Sequence, residues 1–205
     1  MDIKIKKGWD DITVAQYMAL EQMEKEEYAE LIDKGIVMVD IIYGIDSKNI
    51  SYTDFRTLLN TLDWMKNKPK KIKAKASYII NDTKYLLDMD YANFTTSQFI
   101  DLTNYRKDGD YIGMLSVVLI PEGHAYMDGA YDINKVKEDM AELTVTDAMS
   151  ILGFFLTAST RFIQYILVYL QKKTKRMKGV PMEQKEQITS QMKELATIME
   201  LSLMS

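Results

Sequence analysis

The residues best suited to chemistry lie in one short segment around the single histidine. His124 is the only histidine in the 205-residue chain, and Glu122, Asp128 and Asp132 lie close to it in sequence. Imidazole nitrogen and carboxylate oxygen are common ligands of zinc and calcium, so these four residues could be drawn as a metal site. They lack the fixed spacing of a preformed site, however, and turn-forming residues surround them. We interpret the segment as a surface loop and predict no metal or cofactor.

Sequence motifs for catalysis are missing. A Ser-His-Asp triad would have to use His124, and the chain has no G-x-S-x-G nucleophile elbow. It also has no Walker A loop, no G-x-G-x-x-G and no H-E-x-x-H. The absence of cysteine excludes thiolate nucleophiles and thiolate zinc sites, and it suits a reducing cytosol. We therefore expect a protein that is not an enzyme.

Two basic segments could bind an anionic partner. Residues 66–75 contain six lysines, and residues 172–178 contain four lysines and one arginine. They could contact DNA phosphates or an acidic protein, or they could be a solvated linker and a helix end. The first segment lacks the arginines and interleaved aromatic residues of a base-reading surface. A net charge of −4 also disfavours a dedicated nucleic-acid binder. The contact residues predicted in the first segment are Lys68, Lys70, Lys71 and Lys73.

The last segment, 181–205, has the pattern of an amphipathic helix with one narrow apolar seam. This seam could dock on a neighbouring copy or another protein, or it could pack on the long helix of its own chain. Both interpretations remain open. The predicted contact residues of the seam are Ile188, Met192, Leu195, Met199 and Leu203.

Four capping boxes predict where helices begin. Each starts with a hydroxyl residue, at Thr13, Ser51, Thr95 or Thr144, and has an acid or amide three positions later. In such a box the first side chain accepts from a free backbone N–H of the first turn, and the fourth side chain accepts from the N–H of the first residue. An apolar helical pattern follows every box, and the last box starts the longest one. The sequence therefore predicts a mainly α fold.

One segment breaks the helical pattern. Residues 76–88 have two short runs rich in β-forming residues around Asn81-Asp82, which tolerate the left-handed turn of a hairpin. We predict a small β-hairpin whose free edge is the first place to look for strand addition by a partner. Residues 111–120 are apolar almost throughout and fit a helix or a strand.

The predicted architecture is a helical, bundle-like body with the hairpin and two C-terminal helices, of which the first is long. Its regions are 1–66, 67–180 and 181–205, unless all three form one domain. Residues 151–170 are long enough to span a membrane, but Arg161 lies at the middle of this stretch. We favour a buried or oligomer-facing helix over a membrane span.

Three segments carry a resemblance to a known group of proteins. They are Trp9 to Tyr17, Ile79 to Tyr85 and Thr96 to Leu102. Together they resemble proteins in the structural gene blocks of tailed bacteriophages, particularly the crAss-like and related phages of Bacteroidetes. The resemblance covers about residues 8–160 and consists of helix caps and a hairpin. It implies a non-enzymatic, mainly helical virion or assembly protein, and it transfers no site residues.

These observations lead to one expected function and two alternatives. We expect a multi-copy component of a head-to-tail connector or tail ring that acts through protein–protein contacts. The first alternative is a tail assembly chaperone that is absent from the virion, and the second is a DNA-contacting packaging or regulatory protein. The expected partners are other copies of the chain and phage proteins of the portal, tail or tape-measure class. The expected location is the virion, after synthesis in the host cytoplasm.

Overall fold

Helices make up most of the fold. The computed structural model describes residues 3–70, 72–88 and 93–155 and the single positions 157, 168, 172 and 190. Within these residues the protein is mainly helical with one small three-stranded antiparallel sheet, which confirms the predicted fold class. The second predicted C-terminal helix, and all but the first turns of the long one, lie outside the described residues.

The elements follow one another as three helices, a hairpin, and four helices with one further strand. The helices are α1 (Val14–Met23), α2 (Leu31–Tyr43), α3 (Tyr52–Asn60), α4 (Thr96–Lys107), α5 (Tyr111–Val118), α6 (Ile133–Glu142) and α7, described over 145–155. The strands are β1 (Ser77–Ile80), β2 (Thr83–Leu87) and β3 (Leu119–Pro121). Short 3-10 turns lie at Trp9–Asp11, Ser47–Asn49 and Thr61–Lys66.

All four predicted capping positions start a helix. At Thr13 the hydroxyl accepts from the backbone N–H of Gln16 at 3.2 Å, and the Gln16 side chain accepts from the Thr13 N–H at 3.1 Å. Thr95 forms the same reciprocal pair. At Ser51 and Thr144 the hydroxyl accepts from the backbone three residues later, at 3.1 and 3.2 Å. The hydroxyls also contact the aspartate carboxylates of these boxes, at 2.7 and 3.5 Å.

The hairpin lies where the sequence places it, and a third strand extends it. Asn81 and Asp82 have φ values of 46° and 62°, as a two-residue turn with both residues left-handed requires. The ambiguous segment 111–120 contains both predicted structures, because α5 ends at Val118 and β3 follows at once. β3 pairs antiparallel with β2, so the strand order is β1-β2-β3 and β2 lies in the middle.

Two apolar clusters form the interior. One lies among α1, α2, α3 and the turn after α3, with buried residues Ile12, Leu20, Met23, Val39, Ile42, Phe55, Leu58 and Leu62. The other lies among the inner face of the sheet and α4 to α7, with α5 contributing Met114, Leu115, Val117 and Val118. The division into regions 1–66, 67–180 and 181–205 stays a prediction.

The two clusters are joined where α1 and α7 begin. Thr13 and Thr144 form an isolated antiparallel bridge. Val14 N donates to Leu143 O and Val145 N donates to Ile12 O, both at 2.9 Å. Val14 is buried in the second cluster, whereas Val145 is buried in the first. Each half of the chain therefore supplies a core residue to the other half.

Candidate functional site

The free edge of β1 is the best candidate for a site of interaction. In an antiparallel hairpin, residue pairs alternate between hydrogen-bonded and non-hydrogen-bonded. Leu87 N donates to Ala76 O at 2.9 Å, so Ala76 belongs to a hydrogen-bonded pair. By alternation Ser77, paired with Leu86, and Ile79, paired with Lys84, direct their backbone N–H and C=O groups away from β2. Among the described residues no strand pairs with this side of β1, so these groups are available to another strand.

A groove lies beside this edge. It has a volume of about 420 Å³ and lies between β1 and the junction of α6 with α7. Charged side chains line the groove, with Glu142 exposed on one side and Lys75 and Asp147 paired across it at 3.1 Å. The groove thus offers the backbone groups of a strand edge together with charges that could select a partner.

The outer face of the sheet is unusually apolar for an exposed surface. Ile79 on β1 is 77% exposed and Leu86 on β2 is 39% exposed. Ile120, which pairs with Leu86 across the sheet, is half-buried on the same face. Lys84 and Glu122 form an ion pair beside them at 2.5 Å. An apolar side chain as exposed as Ile79 on a free edge strand favours contact with another chain.

A buried carboxylate anchors the hairpin to α6. Asp139 is fully buried and accepts three hydrogen bonds, from Tyr85 Oη at 2.5 Å, Lys135 Nζ at 2.8 Å and Asn81 Nδ2 at 2.9 Å. Asn81 belongs to the hairpin turn and Tyr85 to the middle strand. Asp139 therefore ties the hairpin turn and the middle strand to α6, and β1 is held in place through its pairing with β2.

Burial and hydrogen bonding have opposite effects on the ionisation of Asp139. Burial disfavours the charged form, but the hydrogen bonds from Lys135, Tyr85 and Asn81 outweigh it and lower the pKa of Asp139 below its ordinary value. For Tyr85, burial and the bond to Asp139 both raise the pKa of the phenol. Tyr85 is 1% exposed and Asp139 0%, so this pair has the geometry of a structural clamp.

Sequence reasoning missed this clamp, although one signal for it exists. Val136, Met140 and Leu143 form an apolar stripe on α6 at helical spacing, and Asp139 falls on the same stripe. A carboxylate at a core position must have partners, because an unpaired buried charge is very costly. Helical spacing places Lys135 within reach of Asp139, but Tyr85 and Asn81 are brought to it by the packing of the sheet and cannot be read from the sequence.

The predicted basic contacts are partly described. Lys68, Lys70 and Lys73 are exposed, whereas Lys71 lies outside the described residues. Lys68 and Lys70 line a second groove together with Trp64, which lies close to them in sequence, and with Trp9, which is distant in sequence. The predicted seam of the last helix, formed by Ile188, Met192, Leu195, Met199 and Leu203, lies entirely outside the described residues.

The histidine segment forms a local turn. His124 Nδ1 lies 3.3 Å from Asp128 Oδ2. The Asp128 carboxylate accepts from the backbone N–H groups of Ala125 and Ala130, at 3.0 and 2.8 Å, and these bonds lower its pKa. Within the described part of the chain, no three histidine or acidic side chains are grouped as a metal would require. Nor does any described helix combine the length and apolar character needed to cross a membrane.

Comparison of the chain with protein-family models, with curated proteins and with solved structures finds no match. The β1 edge and its groove are the basis of the function that we propose.

Proposed function

We propose that this protein is a non-enzymatic structural component of a tailed-phage virion, present in many copies in a head-to-tail connector or tail ring. The observation that carries the proposal is the free β1 edge, with its adjacent groove and the 77% exposed Ile79. A strand edge of this kind binds an extended segment through backbone hydrogen bonds, and neighbouring side chains select the segment. We propose a neighbouring copy of the chain as the source of that segment.

The chain contains a segment that suits the groove. Ile3-Lys4-Ile5-Lys6 alternates apolar and basic residues with the two-residue period of a strand. Residues 3–7 belong to no helix or strand, and Ile5 is 39% exposed. The exposed Lys4 of this segment complements the exposed Glu142 in the groove of the next copy. Such a contact joins two different surfaces, and repeated head-to-tail contacts of this type form a ring when the rotation between copies closes.

The experiment that tests this proposal is the mass of the purified protein, measured by light scattering over a concentration series. The proposal requires a discrete oligomer of fixed copy number. A monomer at every concentration would contradict it and favour the tail assembly chaperone.

A charge swap then tests which segment occupies the groove. Glu142→Lys should lower the mass, and Lys4→Glu in the same chain should restore it, since the pair regains opposite charges.

A further inference from the structure

Two segments that are distant in sequence meet at a pair of tryptophans. Trp9 Nε1 donates to the backbone carbonyl of Asn67 at 2.6 Å, across 58 positions of sequence. The rings of Trp9 and Trp64 lie edge to face, with centroids 5.1 Å apart and an interplanar angle of 85°. These are the only two tryptophans in the chain. The lysine-rich segments 4–7 and 66–70 are therefore joined at one aromatic pair.

A groove of about 350 Å³ opens at this pair. Lys7 from the first segment and Lys68 and Lys70 from the second line it, and all three are exposed. Asp10 and Asp11 line it too, but Asp11 Oδ2 already accepts from the Lys7 backbone N–H at 2.9 Å. The lining therefore carries three positive and two negative charges, a net charge of +1. The volume is at the lower end of the range for ligand sites.

One indole donor has no partner among the residues that the structure describes. Trp64 Nε1 is buried, and no described residue accepts a hydrogen bond from it. Buried N–H groups nearly always have an acceptor, because leaving one unpaired is costly. The Trp9 indole, by contrast, is satisfied by Asn67. Trp64 lines the groove, so the ring available to a ligand belongs to a residue whose own donor is unpaired among the described residues.

We propose that this groove binds single-stranded nucleic acid. The lysines neutralise phosphates, and an unpaired base packs against the half-buried tryptophans, as in proteins that bind single strands without sequence preference. A duplex fits less well, because its bases are stacked on one another and do not present their faces to an indole. An acidic protein segment would use the lysines but not the aromatic pair. This inference does not depend on assembly through β1.

The tryptophans themselves provide the assay, since the whole indole fluorescence of the protein comes from this groove. An oligothymidylate is titrated into the full-length protein at low salt, and the emission is recorded across a series of salt concentrations. We expect quenching, with an affinity that falls as salt rises. The double variant Lys68→Glu, Lys70→Glu should lose two phosphate contacts. Its salt slope should therefore decrease by roughly 1.4, at about 0.7 per contact.

A matched control carries the same change of net charge elsewhere. Lys25 and Lys107 are exposed and lie outside the groove lining. Lys25→Glu with Lys107→Glu should keep the parent salt slope, and circular dichroism should show both double variants to be folded. An absence of quenching at low salt would overturn the proposal. So would equal quenching by polyglutamate or by a duplex, or an equal loss of affinity in the two double variants.

Discussion

Tyr85 Oη donates to Asp139 Oδ2 at 2.5 Å, and this bond joins the middle strand of the sheet to α6. Both residues are fully buried. Because Asn81 donates to the same carboxylate, one aspartate fixes the strand and the turn of the hairpin together. The buried Asp139 carboxylate therefore helps to hold the hairpin, and with it the β1 edge, beside the groove.

Replacing this carboxylate should destabilise the fold strongly. Asp139→Ala leaves the buried Tyr85 hydroxyl without its acceptor and removes the ion pair with Lys135, so we expect a loss of about 3 kcal/mol in the free energy of unfolding. Tyr85→Phe removes one donor only and should cost about 1–2 kcal/mol. The measurement is urea denaturation, with Glu138→Ala as the control, because Glu138 is exposed on the same helix. Equal stability of Asp139→Ala and Glu138→Ala would contradict the clamp.

The same carboxylate should make stability depend on pH in the acid range. The folded pKa of Asp139 is lowered, so its contribution is fully present above the unfolded pKa of about 3.9. The contribution is lost as the pH falls from that value through the folded pKa. Urea midpoints measured between pH 7 and pH 3 should decrease more steeply for the parent protein than for Asp139→Asn. Parallel curves would show that Asp139 does not carry this dependence.

Two glycines should respond in opposite ways to the same substitution. A Cβ on Gly113 would collide with the ring of Tyr105 and come within 2.6 Å of an Asp110 carboxylate oxygen. We therefore expect Gly113→Ala to lower the free energy of unfolding by about 2 kcal/mol. Gly153 lies in α7 with no described atom within 4 Å of the added Cβ, so Gly153→Ala should stabilise the protein by up to about 1 kcal/mol. Thermal unfolding of both variants checks the prediction. A similar shift in both would show that crowding at Tyr105 has no effect.

The hairpin turn should accept glycine and reject a β-branched residue. Asp82 has a φ of 62°, a conformation that glycine adopts freely and valine adopts only with strain. Asp82→Gly should leave stability unchanged or raise it slightly, whereas Asp82→Val should cost about 1–2 kcal/mol. The difference between the two midpoints of thermal unfolding is the quantity to measure. Equal midpoints would mean that the turn relaxes to another conformation.

Assembly through β1 can be tested by removing one backbone donor. The N–H of Ile79 points away from β2, so Ile79→Pro removes an outward donor and leaves the bonds to β2 intact. We expect this variant to lower the mass measured by light scattering. Ile79→Thr keeps the N–H and the preference for a strand while removing apolar surface, so it should assemble better than Ile79→Pro. Identical masses for the parent and Ile79→Pro would exclude strand addition at this edge.

Local signals in the sequence predicted local structure well. The hydroxyl residues Thr13, Ser51, Thr95 and Thr144 each start a helix, since a cap depends on only three or four neighbouring residues. Asn81-Asp82 predicted the turn for the same reason. The strand β3 could not be separated from α5, because a buried segment that is apolar throughout has neither the helical nor the strand period.

Long-range contacts were beyond the reach of the sequence. The basic segment at 66–75 has no aromatic residues of its own. The fold brings Trp9 to Asn67, and Trp9 and Trp64 line one groove with Lys68 and Lys70. Two of the three partners of Asp139 come from the hairpin, 54 and 58 positions away. Periodicity shows which residues are buried and says nothing of which residues they meet.

The exchange of Val14 and Val145 between the two clusters has a consequence for synthesis of the chain. Translation produces α1, α2 and α3 first, but their interior is completed by Val145, which is bonded to Ile12 through the backbone. The nascent first half must therefore wait, with part of its apolar surface open, until the start of α7 has left the ribosome. During that interval its incomplete apolar interior is open to proteases and to neighbouring nascent chains.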